Sequence, residues 1–94
     1  MYQVVKRDGK VTEFEISKIS KAITKAFEAL EKQYHPSVID MISLRVTADF
    51  GEKVHDVKIT VEDIQDSVEK VLSECGYADV SKAYILYRKQ REKV

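Results

Sequence analysis

The hydrophobic pattern changes period near residue 15. Before it, β-prone residues fall in two short runs, Gln3 to Lys6 and Val11 to Phe14. Between them lies Arg7-Asp8-Gly9-Lys10. Asp-Gly is a strong hairpin signal because both central residues can take φ > 0. The pattern predicts a small antiparallel hairpin. Beyond it, Ile16, Ile19, Ile23, Ala26, Phe27 and Leu30 recur at helical spacing. They predict a helix from about Ser17 to Lys32, with Glu15 or Ser17 capping or charge-complementing its start.

His35-Pro36-Ser37 marks a boundary, with Pro36 suited to a first helical turn. Ile39, Ile42, Val46 and Phe50 form the stripe of a second helix, and Gly51 is its expected stop. The stretch from Glu52 to Asp56 is less regular and allows some continuation of helix. Val57 to Thr60 reads as a short strand. Thr60-Val61-Glu62-Asp63 then resembles a capping box with Asp in place of Glu. Val61, Ile64, Val68, Val71, Leu72 and Cys75 make a third stripe, ended by Gly76. Asp79 is placed to cap a fourth helix bearing Val80, Ala83, Tyr84, Tyr87 and Val94 on one side.

The predicted order is β-β-α-α-β-α-α. Four helices of roughly 14 to 18 residues can bury one another's stripes. A hairpin is marginal alone, and the third strand can complete a small sheet over one end of the bundle. The expected fold class is therefore α+β: a four-helix bundle capped by a small three-stranded sheet. No repeat or linker interrupts it, so residues 1–94 are read as one domain.

Composition narrows the function. Sixteen basic and sixteen acidic residues cancel, so no global field favours nucleic acid. Any anion site must come from local placement. Cys75 is the one cysteine, which excludes an intrachain disulfide or a cysteine zinc cluster. Its place on the third stripe predicts a buried thiol rather than a reactive one. No secretory signal and no apolar run of about 18 residues is present. A cytoplasmic setting without membrane contact is expected.

No catalytic constellation stands out. There is neither a GxxxxGK[ST] loop nor a GxGxxG. His35 and His55 lack metal-ligand spacing and read as surface or boundary residues. Ser, His and Asp occur, but nothing pairs them as a triad. The cations are more suggestive. Lys6 and Arg7 enter the hairpin turn, Lys18 lies in the first helical turn, and Lys21 and Lys25 continue along that side. A helix N-terminus adds unpaired N–H groups. In YRKQREK, Arg88 and Arg91 are spaced i, i+3 and can face one phosphate group together. Asp8, Glu13 and Glu15 lie among the N-terminal cations, to neutralise them or to contact a ribose or a nucleobase amine. The residues alone leave two readings open: solvated charge, or a site for a polyphosphate.

The segments VVKRDGKVTEF, SKISKAI, ITVEDIQDSVEKVL and YADVSKAYILYRKQR, in this order and spacing, closely resemble the ATP-cone domain over essentially the whole chain. That module stands at the N-terminus of many ribonucleotide reductase large subunits and also occurs in a bacterial repressor of reductase genes. The wording of the last segment is most similar to the anaerobic, glycyl-radical type. The resemblance implies a four-helix bundle under a three-stranded mixed sheet, in agreement with the predicted order. It implies an N-terminal regulatory domain, excised from a longer chain.

For the site, the resemblance implies that Val5, Lys6 and Arg7 line a nucleotide at the first strand. Glu15 would face base or ribose, Lys18 would hold phosphate and Ile19 would pack on adenine. Thr60, Val61 and Gln65 would approach base or sugar, with Gln65 standing where some relatives have histidine. Arg88 or Arg91 would complete the phosphate site, and Tyr87 would stack or simply pack. Folding alone accounts for Val5, Ile19 and Thr60, and turn chemistry for Asp8 and Gly9. Lys6, Arg7, Lys18 and one late arginine have no such explanation.

The implied function is non-catalytic: allosteric binding of ATP or dATP, with Mg²⁺ on the triphosphate, controlling a reductase through its quaternary arrangement. Its partners would be adenine nucleotides and the other domains and subunits of the parent. The alternatives are the same cone within the repressor, a helical protein-interaction domain without ligand, and a cone that has lost nucleotide affinity and serves oligomerisation. The repressor's cone follows a Cys-rich zinc ribbon, whereas this sequence starts at the hairpin.

Overall fold

The structure is a computed structural model and describes residues 2–92. Lys93 and Val94, predicted to extend the last basic run and stripe, lie outside the described residues. The element order is the predicted one. Strands β1 (Gln3–Val5) and β2 (Val11–Glu13) precede helices α1 (Ile16–Ala29) and α2 (Pro36–Phe50). Strand β3 (Lys58–Thr60) then leads into α3 (Val61–Glu74) and α4 (Ala78–Glu92). β1 is central, antiparallel to β2 and parallel to β3. The parallel pairing is possible because α1 and α2 carry the chain back over the sheet. The helices form a ring in which each packs on two neighbours, in the order α1, α2, α3, α4.

The hairpin turn is a three-residue one. Gly9 N–H donates to Lys6 O, Lys6 N–H donates to Lys10 O, and Asp8 Oδ1 accepts from Lys10 N–H. Gly9 alone takes a positive φ, 87°. The Asp-Gly signal thus marks a type I turn with a glycine bulge, not a turn with two left-handed residues.

The four stripes meet in one core, with Ile23, Ile42, Val46, Phe50 and Leu72 fully buried. Ile16 and Leu30, at the two ends of the first stripe, are exposed. α1 stops at Ala29, earlier than expected. Glu31 enters the left-handed region (φ 52°), and Glu31 and Lys32 return N–H bonds to Glu28 O and Phe27 O. This is a Schellman stop built without glycine. α3 ends the same way on Gly76 (φ 88°), as the sequence predicts. Gly51 does not stop α2 in that manner. Its φ is −54°, and the chain runs on into a 3₁₀ turn, Gly51–Lys53.

Helix starts follow the predictions in part. Pro36 is in the first turn of α2, where His35 Nδ1 caps Ser37 N–H. Thr60 Oγ1 caps Asp63 N–H at 3.1 Å. Asp79 does not cap α4; it is the second helical residue, pairs with Lys32 at 3.1 Å and accepts from Val80 N–H. Cys75 is half-buried rather than buried, because it lies just past the last turn of α3, where Arg45 Nη1 donates to its Sγ at 3.4 Å.

The sheet rests on the bundle through three rings. Phe50 closes α2, and Phe14 and Tyr2 stand 5.3 and 5.8 Å from it. Strand β3 starts one residue later than predicted, because Val57 belongs to a tight turn. His55 and Lys58 exchange both backbone bonds at 2.9 Å, with Asp56 (φ 51°) and Val57 (φ 57°) between them. Such a φ suits asparagine or glycine and strains a β-branched residue. The Val57 side chain is exposed, so burial gives no compensation.

Val57→Asn should therefore raise stability by about 1 kcal/mol, and Gly76→Ala should lower it by a similar amount. Phe50→Ala should cost about 3–5 kcal/mol, since it removes core volume and the support of the hairpin. Urea unfolding of the three variants checks these values.

Candidate functional site

A cleft of about 200 Å³ opens between the hairpin and the bundle. Its floor is apolar: Val4 from β1, Ile19 and Ala22 from α1, Val61 and Ile64 from α3, with Phe14 and Tyr84 at the sides. Polar residues form the rim: Lys6, Thr12, Glu13, Glu15, Lys18 and Gln65. Strand alternation explains the floor, because Val4 points inward while its neighbours Gln3 and Val5 are only half-buried. Three elements end at this place, so segments distant in sequence converge there.

Six predicted residues line the cleft: Lys6, Glu15, Lys18, Ile19, Val61 and Gln65. Two more join it through Gln65. Arg7 Nη2 donates to Gln65 Oε1 at 3.2 Å, and Arg88 Nη1 donates to the same oxygen at 2.9 Å. Arg88 also lies 3.1 Å from Glu69 Oε2, and both side chains are mostly buried. Lys18 pairs loosely with Glu15 at 3.6 Å, both well exposed. Glu15 holds the N-cap position of α1, but its carboxylate makes no cap bond. The first turn of α1 therefore offers N–H groups beside the cleft.

Three predicted residues stand apart. Val5 and Thr60 are partners across β1 and β3, and neither lines the cleft. Thr60 is engaged in its cap. Arg91 does not join Arg88 on one group. It lies 5.9 Å over the Tyr87 ring, which Lys25 also approaches at 5.7 Å. The i, i+3 spacing put both arginines on one side, but Gln65 and Tyr87 draw them to different neighbours.

The sequence did not single out Val4, Thr12, Phe14, Ala22, Ile64 or Tyr84 as site residues. For Ile64 and Tyr84 the signal was present as core periodicity, and the floor of this cleft is the part of the core that the hairpin leaves uncovered; Thr12 and Ala22 carried no such signal. A larger, shallow groove of about 670 Å³ runs along α1 past Lys21 and Lys25 to Asp40. It is open to solvent and contains none of the residues on the cleft rim.

Among the described residues, no group of three or more His, Cys, Asp or Glu is arranged to hold a metal ion. None of the described helices is long and apolar enough to cross a membrane. His35 is engaged in capping α2 and His55 in the turn before β3.

Tyr84 is the titratable group most affected by the cleft. Burial pushes its phenol well above the ordinary 10.0, against a smaller opposing effect of Arg88. The unfolded chain therefore ionises this phenol first. Its linkage leaves stability intact below pH 10 and erodes it as pH rises further. Tyr84→Phe should change stability little at pH 7 and should flatten the alkaline decline above pH 10, in thermal melts taken across that range.

The ATP cone domain family model matches residues 2–93. The ribonucleoside-diphosphate reductase subunit alpha of Chlamydia pneumoniae is 40% identical over 94% of this chain and 9% of its own length. The vitamin B12-dependent ribonucleoside-diphosphate reductase of Thermoplasma acidophilum is 37% identical over 98% of the chain and 12% of its own. The anaerobic ribonucleoside-triphosphate reductase of Haemophilus influenzae is 33% identical over 97% and 13%. The chain thus spans about a tenth of the length of these relatives.

Proposed function

The chain belongs to the ATP-cone family, and from that premise we propose that the cleft under the hairpin binds ATP or dATP as an allosteric ligand. The observation that carries this reading is the cleft's division into an apolar floor and a cationic rim. A nucleotide has the same division. Adenine would pack on Ile19, Val61 and Ile64, with Phe14 at its side. Glu13, Glu15 and Thr12 offer acceptors and a hydroxyl for the exocyclic amine and the ribose.

Ligand pockets usually measure about 300–1,000 Å³, and this cleft is smaller. It suits the adenosine part. The triphosphate would run outward over Lys6 and Lys18, toward Arg7 and Arg88. Four cations on three segments suit a polyphosphate better than a single anion. Mg²⁺ would ride on the phosphate oxygens and water, which supply the hard ligands it prefers.

In this proposal the domain performs no chemistry. It sits within a longer ribonucleotide reductase chain and regulates it. The three relatives include diphosphate, B12-dependent and anaerobic kinds, so the domain recurs across reductases of different chemistry, which supports a role separate from that chemistry. It also favours a reductase over a repressor as the parent. ATP and dATP differ by one hydroxyl, and a ligand biases two states only by its differential affinity for them. One ribose hydrogen bond can supply about 1 kcal/mol, several-fold in population. The output would be a changed arrangement of the parent's subunits. A reductase of this kind works in the cytoplasm.

Calorimetric titration with ATP and dATP tests the site. Lys6→Ala/Lys18→Ala should weaken both by about 100-fold or more, given roughly 1.5–3 kcal/mol for each charged hydrogen bond. Undiminished binding in the folded double variant would move the site elsewhere. No heat from either nucleotide with the wild-type chain would end the nucleotide reading.

A further inference from the structure

Gln65 stands in the middle of a bridge between the hairpin and the last helix. Its Oε1 accepts from Arg7 in the hairpin turn and from Arg88 near the end of α4. An amide oxygen has two lone pairs, so one atom can serve both donors. The three residues come from three segments that share no local contact in sequence, separated by 58 and 23 positions. Glu69, one turn beyond Gln65 on α3, places Oε2 3.1 Å from the same Arg88 Nη1 that donates to Gln65, an ion pair rather than a second hydrogen bond. Arg88 Nε is buried and has no hydrogen-bond partner among the described residues.

Two guanidinium groups thus converge on one neutral oxygen. Like charges held this close repel; Glu69 offsets Arg88, and the carbonyl dipole balances the Arg7 side only in part. Guanidinium pairs more strongly with phosphate than with a neutral amide, because the bond is charge-assisted and can be bidentate. An anion entering the cleft would compete directly for the N–H groups that Gln65 now holds.

We propose that Gln65 is a positioning residue that latches the hairpin turn to α4 through Arg7 and Arg88, and that a polyphosphate ligand opens this latch by taking both guanidinium groups. The latch fixes the closed hairpin when the cleft is empty of phosphate. On binding, the turn exchanges its tie to α3 for a tie to the ligand. Hairpin position and α4 then respond together to one event, which gives the cleft a route to the surface. The opening step rests on the nucleotide reading of the cleft, whereas the latch itself does not.

Hydrogen exchange of the Lys6 and Gly9 amides, both bonded within the hairpin, reads the latch without nucleotide. Gln65→Leu removes the shared acceptor and should speed their exchange at least threefold. Gln65→Glu supplies a carboxylate to both arginines and should slow it. Exchange that is unchanged, or that moves the same way in both variants, would overturn the latch. Should Gln65→Leu fail to fold, Gln65→Asn, whose shorter amide falls back from the hairpin, replaces it with the same expectation.

ATP titration reads the competition. Gln65→Glu should weaken ATP at least tenfold while protecting the hairpin, because the carboxylate keeps the arginines and repels phosphate. ATP affinity that is equal or tighter in this variant would overturn the competition. If the wild-type chain takes up no ATP, the nucleotide reading fails, and the exchange measurements alone decide the latch.

Discussion

The packing of Phe14 and Tyr2 on Phe50 holds the site together. Each strand has three residues, too few for a sheet to stand alone in water. The sheet persists because its first strand is central and because its flanking rings reach the end of α2. Phe50 is fully buried, while Phe14 is half-buried and also walls the cleft. The same ring that anchors the hairpin therefore shapes the cavity beneath it. Val4 repeats this double use from the strand side.

Charge is arranged differently from apolar surface. The chain as a whole is neutral, yet Lys6, Arg7, Lys18 and Arg88 reach one rim and its immediate border. The fold does this by ending β1, starting α1 and passing α4 at the same place. Three carboxylates, Glu13, Glu15 and Glu69, stand among these cations. In an empty site they limit the mutual repulsion of the basic groups. They leave the site balanced rather than strongly positive, so it would recognise an anion by geometry more than by long-range attraction.

Periodicity made most of the fold legible. The stripes of α2 and α3 are continuous and end at strong signals, Pro36 on one side and Gly76 on the other, so their placement followed directly. Boundaries failed where a residue acted against its type. Glu31 adopts the left-handed stop that glycine would normally supply, and Val57 adopts a turn conformation that its branching disfavours. Neither can be read from propensity: Glu31 is held by the local helix-end bonds to Glu28 O and Phe27 O, and Val57 by a tertiary one, since Val57 O accepts from Gln3 N–H at 2.7 Å and starts the central strand. Gly51 misled in the opposite sense, being glycine in an ordinary helical conformation.

The candidate site divides along the same line. Its cations were legible because folding gives them no other work. Its floor was not, because Ile64 and Tyr84 look like any other stripe residues until the hairpin's reach is known. Gln65 falls between these cases. Nothing in its own neighbourhood marks it, and its importance arises only when Arg7, 58 residues away, arrives at its oxygen. A neutral amide between two cations is weaker than a salt bridge and stronger than solvent. Net hydrogen bonds of this type contribute about 1.5–3 kcal/mol, close to the roughly 1.4 kcal/mol that separates tenfold different populations. In the proposed latch a carboxylate at position 65 would resist release by a ligand, and an aliphatic side chain would leave the hairpin to its ring packing and its other ties. An amide gives an interaction of the size that binding of a small ligand can reverse, which is what the proposed latch requires of its closed state.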